Sequence, residues 1–191
     1  KVLKKFDGIY VETATMKDAL ETLDLKNVFI MPNCKKLNIL KENELVYPQG
    51  VPYRVCTFSR VMREKGIEDA VDAVTKVNQS FGCTIFSLDI YGQVDENQTE
   101  WFETLRKNFP NYINYCGLIS FDKSVETLKE YFALLFPTYY EGEGFAGTLI
   151  DAYSAGVPVI ASDWKYNVEL VNENVGYVYK TRDNVAFTEL L

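Results

Sequence analysis

Apolar and polar positions follow two different periods along this chain, and from residue 53 onward the two take turns. Short, nearly continuous apolar runs at 54–58, 84–91, 112–116, 132–136 and 157–161 predict strands buried on both faces. Between the first two, Ile67, Ala70, Val71, Val74 and Val77 recur at the spacing of one helix face and predict a helix over 67–81. Weaker patterns predict helices near 96–108, over 124–130 and over 147–155. Strand alternating with helix implies right-handed βαβ units, so the expected class is α/β with a doubly wound parallel sheet. Ligands of such sheets sit beyond the carboxyl ends of the strands, where the strand order reverses. Ser59, Arg60, Gly92, Gly117 and an acidic loop at 141–146 all fall at such ends.

The earlier part of the chain is less regular. Residues 6–12 and 27–31 read as strands around a helix over 14–23, with Met16, Ala19, Leu20 and Leu23 on one face. Residues 34–52 are polar, contain Pro48, Gly50 and Pro52, and show no period, which marks a linker. The expected division is therefore 1–33, a linker over 34–52, and a main domain over 53–191. The start at Lys1 and the finish at Leu191 both fall inside apparent elements and read as cuts from a longer protein.

Composition mainly excludes. The chain has 20 Lys plus Arg against 27 Asp plus Glu, a formal charge of −7, and no basic run, so nucleic acid is not the expected partner. It has no His, which removes Ser-His, Cys-His and His-metal chemistries together. Cys34, Cys56, Cys83 and Cys116 are widely spaced without a CxxC, and are expected to be buried, reduced thiols. No carboxylate pair of the DxD kind suggests a bound divalent metal, so neither metal nor other cofactor is expected. No apolar run approaches the roughly 20 residues of a membrane span.

The chemistry concentrates in the loop and helix at 141–155. A Gly-rich loop before a helix offers unpaired backbone amides and the positive end of the helix dipole, which together favour an anion. The same loop carries Glu141 and Glu143, which repel one. A ligand with phosphates at one place and hydroxyls at another satisfies both, and a nucleotide-sugar is such a ligand. Glu143 and Asp151 stand eight residues apart, while position 149, eight after Glu141, is Leu149. With a helix start near Ala146, Asp151 lies roughly 7.5 Å along the axis, so that Glu143 could meet hexose hydroxyls and Asp151 ribose hydroxyls. Asp151 as a plain helix-surface carboxylate, and Thr148 as a plain first-turn residue, fit the spacing equally well. Arg60 and Lys65 flank a strand-to-helix loop where two cations can converge on a diphosphate, or simply face solvent.

Taken in order, these segments resemble the donor-binding, C-terminal half of the retaining glycosyltransferases of GT-B architecture, family four. Ser-Arg-Val-Met-Arg-Glu-Lys-Gly at 59–66 is similar to the family's G-R-x-x-x-x-K-G. Ile-Tyr-Gly at 90–92 and Tyr-Cys-Gly at 115–117 resemble its two glycine-ended strands. Glu-Gly-Phe-Ala-Gly-Thr-Leu-Ile-Asp-Ala at 143–152 resembles E-G-F-G-x-x-x-x-E-A, and the stretch at 155–162 resembles A-x-G-x-P-V-I-A-S. Residues 1–33 are similar to the end of the family's N-terminal, acceptor-side domain.

The resemblance implies a Rossmann-like fold and a metal-free transfer of a hexosyl group, with retention, from a nucleotide-sugar to a glycan or lipid-linked acceptor. It implies that Arg60 and Lys65 hold the donor phosphates, that Glu143 contacts the sugar, and that Asp151 contacts the ribose. Gly144, Phe145, Ala146, Gly147 and Thr148 would line the phosphates, with Gly92 and Gly117 at the neighbouring strand ends. It further implies a cytoplasmic protein, with peripheral association at the inner membrane face for the full-length enzyme. Four positions depart from the pattern: Ser59 and Ala146 stand for Gly, Gln93 for a second Gly, and Asp151 for Glu. Aspartate is one methylene shorter, so its ribose contact would need a shift or a bridging water. An epimerase of the same architecture would call for His, and the chain has none; a dehydrogenase would call for G-x-G-x-x-G after the first strand, and none follows it. A non-catalytic binding module on the same fold is compatible with the four departures.

Overall fold

A computed structural model describes residues 2–36, 38–48 and 50–191. A small parallel sheet comes first, with β1 (Ile9–Val11) and β2 (Val28–Ile30) joined through α1 (Ala14–Glu21). The main domain then runs β3 (Tyr53–Phe58), α2 (Ile67–Phe81), β4 (Phe86–Tyr91), α3 (Thr99–Arg106), β5 (Ile113–Gly117), α4 (Ser124–Leu128) and β6 (Ala133–Phe136). It continues through α5 (Gly147–Ser154), β7 (Val159–Ser162), α6 (Asn167–Leu170), β8 (Gly176–Tyr179) and α7 (Asn184–Glu189).

The main sheet has six parallel strands in the order β5-β4-β3-β6-β7-β8. The chain therefore builds outward from β3 in one direction, then returns to β6 and builds in the other. The order reverses between β3 and β6, so the loops leaving those two strands face each other across a crevice.

Burial explains the strand sequences. All four residues of β6 and all four of β7 are buried, alternating between two cores because successive strand side chains point to opposite faces. Ala133, Leu135 and Ile160 join one core with the Ile67–Val77 face of α2, Phe102 of α3 and Phe187 of α7. Leu134, Phe136, Val159 and Ala161 join the other with Val125 and Leu128 of α4 and Leu149 and Ala152 of α5. α2 spans the residues its periodicity predicts, and glycines in the left-handed conformation bound it at Gly66 and Gly82.

Residues 34–52 hold no strand or α-helix among those described, yet they lie on the main domain. Leu40 is buried in the second core and its amide donates to the Ser154 carbonyl at 3.0 Å. No helix among the described residues is long and apolar enough to cross a membrane.

The cysteine expectation fails in part. All four thiols are free, but only Cys56 is buried, while Cys34, Cys83 and Cys116 are exposed. The apolar run around Cys116 misleads because β5 is an edge strand whose alternate side chains face outward.

Candidate functional site

The site is built by two loops pressed together at the switch point. After β3, the turn Arg63–Lys65 ends in Gly66, whose φ of 71° suits glycine. A Cβ at Gly66 would lie 2.2 Å from the Pro137 carbonyl oxygen, so only glycine lets the β3 loop approach the residue after β6. The Tyr139 amide donates to the Glu64 carbonyl at 2.7 Å and ties the same loops. This approach delivers Lys65 to Glu143. Lys65 Nζ lies 2.6 Å from Glu143 Oε2, and both side chains are nearly enclosed. The Thr138 hydroxyl donates to the same oxygen at 2.7 Å. Both bonds end on Oε2, which fixes the carboxylate and leaves the direction of Oε1 set.

Arg60 stands at the rim, half exposed, with Nη1 3.4 Å from Asp95 Oδ2. Its guanidinium carbon and Lys65 Nζ lie 5.7 and 4.8 Å from the centre of the Tyr140 ring. The two cations therefore share one aromatic ring while their polar contacts go to separate carboxylates. Expectation placed both on a common anion; in the structure, charge pairing with Glu143 draws Lys65 inward.

α5 supplies the second half of the site. Ala146 is its N-cap: its carbonyl accepts from the Leu149 amide at 3.1 Å, but it offers no side-chain acceptor to the amides of Gly147 and Thr148. The Thr148 hydroxyl is enclosed and has no hydrogen-bond partner. Asp151, one turn on, is 3% exposed. Its Oδ2 accepts from Lys35 Nζ at 2.7 Å and its Oδ1 from the Ser124 hydroxyl at 3.1 Å.

Between the loops and α5 opens a cleft of about 420 Å³, lined by Lys35, Arg60, Gly92, Thr148 and Asp151 among others. Gly92 has φ 136°, and a Cβ there would meet the Ser59 carbonyl oxygen at 1.7 Å, so glycine is required where β3 and β4 end side by side. Gly117 ends β5 and accepts from the Gly92 amide at 2.9 Å, but the cleft wall passes to Leu118 and Ile119 instead. Among the described residues, no group of three His, Cys, Asp or Glu is placed to hold a metal.

Residues before the linker reach the same loop. Glu12 Oε2 accepts from the Phe145 amide at 2.8 Å and closely approaches Gly144, while Asn33 Nδ2 donates to the Phe145 carbonyl at 2.8 Å. In return, Glu169 of α6 accepts from the amides of Ala14 and Thr15 at 2.7 and 3.1 Å and so caps α1. Partial burial pushes the Glu169 carboxyl up, but the Ala14 and Thr15 bonds outweigh it and hold the group below its usual range.

Of the residues expected from sequence, Arg60, Gly92, Thr148 and Asp151 share the cleft wall. Lys65 and Glu143 pair beside it. Gly144, Phe145 and Ala146 form the approach to α5, which begins at Gly147. Sequence reasoning missed Glu12, Asn33, Lys35, Thr138 and Tyr140. Lys35 and Asn33 sat in or beside the supposed linker, and only their position just after the strand ending at Pro32 could have drawn attention.

A family model described as "Glycosyl transferases group 1" matches residues 52–191. The GtfA subunit of a UDP-N-acetylglucosamine–peptide N-acetylglucosaminyltransferase from Streptococcus agalactiae is 32% identical over 122 residues, covering 64% of this chain and 23% of that protein. The equivalent subunit from Streptococcus gordonii is 26% identical over 164 residues, covering 85% and 31%. The chain thus spans less than a third of either relative. Among solved structures, the pneumococcal O-GlcNAc transferase GtfA in complex with UDP and GlcNAc superposes with a TM-score of 0.79 at 21% identity, over 97% of this chain and 38% of that one. A sucrose-phosphate synthase from Thermosynechococcus elongatus gives a TM-score of 0.79 at 20% identity, over 99% and 49%. Both likenesses are of fold.

Proposed function

This chain belongs to the group 1 glycosyl transferases, and from that premise we propose that it binds the nucleotide-sugar donor of a hexosyl transfer proceeding with retention. The observation that carries the reading is the cleft at the switch point. It joins a half-exposed guanidinium, a bare helix N-terminus with an unpartnered hydroxyl, and a neighbouring glutamate locked in direction. Arg60 and the first-turn amides of α5 take the phosphates, where negative charge grows as the bond to the sugar breaks. Glu143 presents Oε1 to a sugar hydroxyl, held in place by Lys65 and Thr138. The names of the streptococcal relatives favour UDP as the nucleotide and a peptide, rather than a glycan or lipid-linked group, as the acceptor. The 191 residues bind donor but turn over nothing by themselves, because the attacking hydroxyl must be presented by parts of the enzyme beyond them.

The test is thermal unfolding with UDP, GDP and ADP and their sugar conjugates. A ligand at about 100 times its Kd adds about 2.7 kcal/mol to stability, which raises Tm by roughly 5–10 °C in a chain of this size. The absence of a shift with all three nucleotides at millimolar concentration would remove the reading.

A further inference from the structure

Lys35 is the cation that the cleft holds in the place expected of Lys65. Lys65 is spent on Glu143: its side chain is 10% exposed, its ammonium is 2.6 Å from the carboxylate, and it does not line the cleft. Lys35 does line it, with its side chain 28% exposed. Its Cε lies 2.7 Å and its Nζ 3.0 Å from where a Cβ on Gly147 would sit, so the side chain crosses the first residue of α5. There it stands beside the first turn of α5 and shares the cleft with the enclosed, unpartnered Thr148 hydroxyl. An ammonium carries three donors. One goes to Asp151 Oδ2 at 2.7 Å, and two remain.

Asp151 is correspondingly occupied. Ser124 takes Oδ1, Lys35 takes Oδ2, and the carboxylate is almost fully enclosed. At this end of the cleft the group presented to a ligand is the ammonium, with the carboxylate behind it as its anchor. We propose that Lys35 is a phosphate-binding residue of the donor site, aimed by Asp151 and working with Arg60, which lines the same cleft. A Cβ at Gly147 would push the Lys35 side chain from this position, so glycine there leaves the lysine its place. The shorter aspartate at position 151 also finds a use: it draws the carboxylate back far enough to admit a lysine.

The proposal rests on the donor-binding reading, so the experiment separates the two. Calorimetric titrations of UDP and of uridine are run on wild type, Lys35→Met, Lys35→Arg, and the double variant Lys35→Met with Asp151→Asn. The double variant leaves no unpaired buried carboxylate behind, and thermal unfolding checks that each protein is folded. The expected result is a loss of roughly tenfold or more in UDP affinity for both Met variants. Uridine binding stays within about twofold of wild type, and Lys35→Arg recovers most of the UDP affinity. Unchanged UDP binding in the folded double variant overturns the proposal and leaves the donor reading standing. Equal losses for UDP and uridine also overturn it, because Lys35 would then serve the nucleoside and not the phosphates. Failure of wild type to bind UDP at all removes both.

Discussion

Lys65 Nζ and Glu143 Oε2 meet at 2.6 Å across 78 residues of sequence, where the loops after β3 and β6 approach each other. Each side chain is nearly enclosed, so either one alone would be a buried, uncompensated charge. Lys65→Met or Glu143→Leu should each cost about 3–5 kcal/mol, read from urea unfolding. Lys65→Met combined with Glu143→Leu should cost clearly less than the sum of the singles, because neither charge is left stranded. Additive losses would show that the pair is not energetically coupled.

Gly66 permits this approach of the β3 and β6 loops, and Gly92 a like approach where β3 and β4 end. Alanine at Gly66 or Gly92 faces both a left-handed φ and a backbone oxygen at 2.2 or 1.7 Å. Each substitution should cost more than about 3 kcal/mol in a shifted urea midpoint. Gly82→Ala has the same sign of φ but open space around it, and should cost only about 1–2 kcal/mol. Equal costs at all three would mean that dihedral strain alone matters.

The loop before α5 depends on residues that precede the linker. Glu12→Ala removes the acceptor of the Phe145 amide. Hydrogen exchange at that amide should speed up by about tenfold or more, equivalent to about 1.4 kcal/mol, while amides in β6 keep their protection. No change at Phe145 would show the bond to be absent in solution.

A separate ionised group reports on the sheet itself. Asp89 of β4 accepts from Tyr131 Oη at 2.7 Å, Arg54 Nη2 at 2.9 Å and Asn114 Nδ2 at 3.0 Å. Burial pushes its carboxyl up, but these bonds outweigh burial and hold it below the usual 3.8. A lowered folded value means stability present in full above about pH 4 and lost as pH falls through the folded value. Asp89→Asn should cost about 2–4 kcal/mol at pH 7 and should flatten the acid limb of a stability-against-pH curve. An unchanged acid limb would assign that pH dependence elsewhere.

The sheet and its main helix were legible because their physics is local. β6 and β7 are buried on both faces and read as unbroken apolar runs, while α2 shows its core-facing stripe. The last elements were not: α6 has four residues and β8 alternates Gly, Tyr, Val and Tyr, too little pattern for a period. Within the site, the motifs marked Arg60, Glu143 and the start of α5, since those residues lie on loops with a recognisable order. Partner choice escaped, because it is decided by long-range approach. Nothing near Lys65 in sequence announces Glu143, and nothing near Asp151 announces Lys35, 116 residues away. Lys35 also sits in a stretch that composition marks as a linker, where a charged side chain is ordinarily read as solvated.

Both polar groups of the Phe145 peptide are held by residues on the far side of that linker, Glu12 at the amide and Asn33 at the carbonyl. A recombination breakpoint near residue 52 would look harmless, since it falls between compact units, yet it would part the loop before α5 from the residues that hold it. Chimeras that exchange the main domain between relatives should keep their ligand only when positions 12 and 33 travel with it. The smallest heritable unit of this site begins before the domain that contains it.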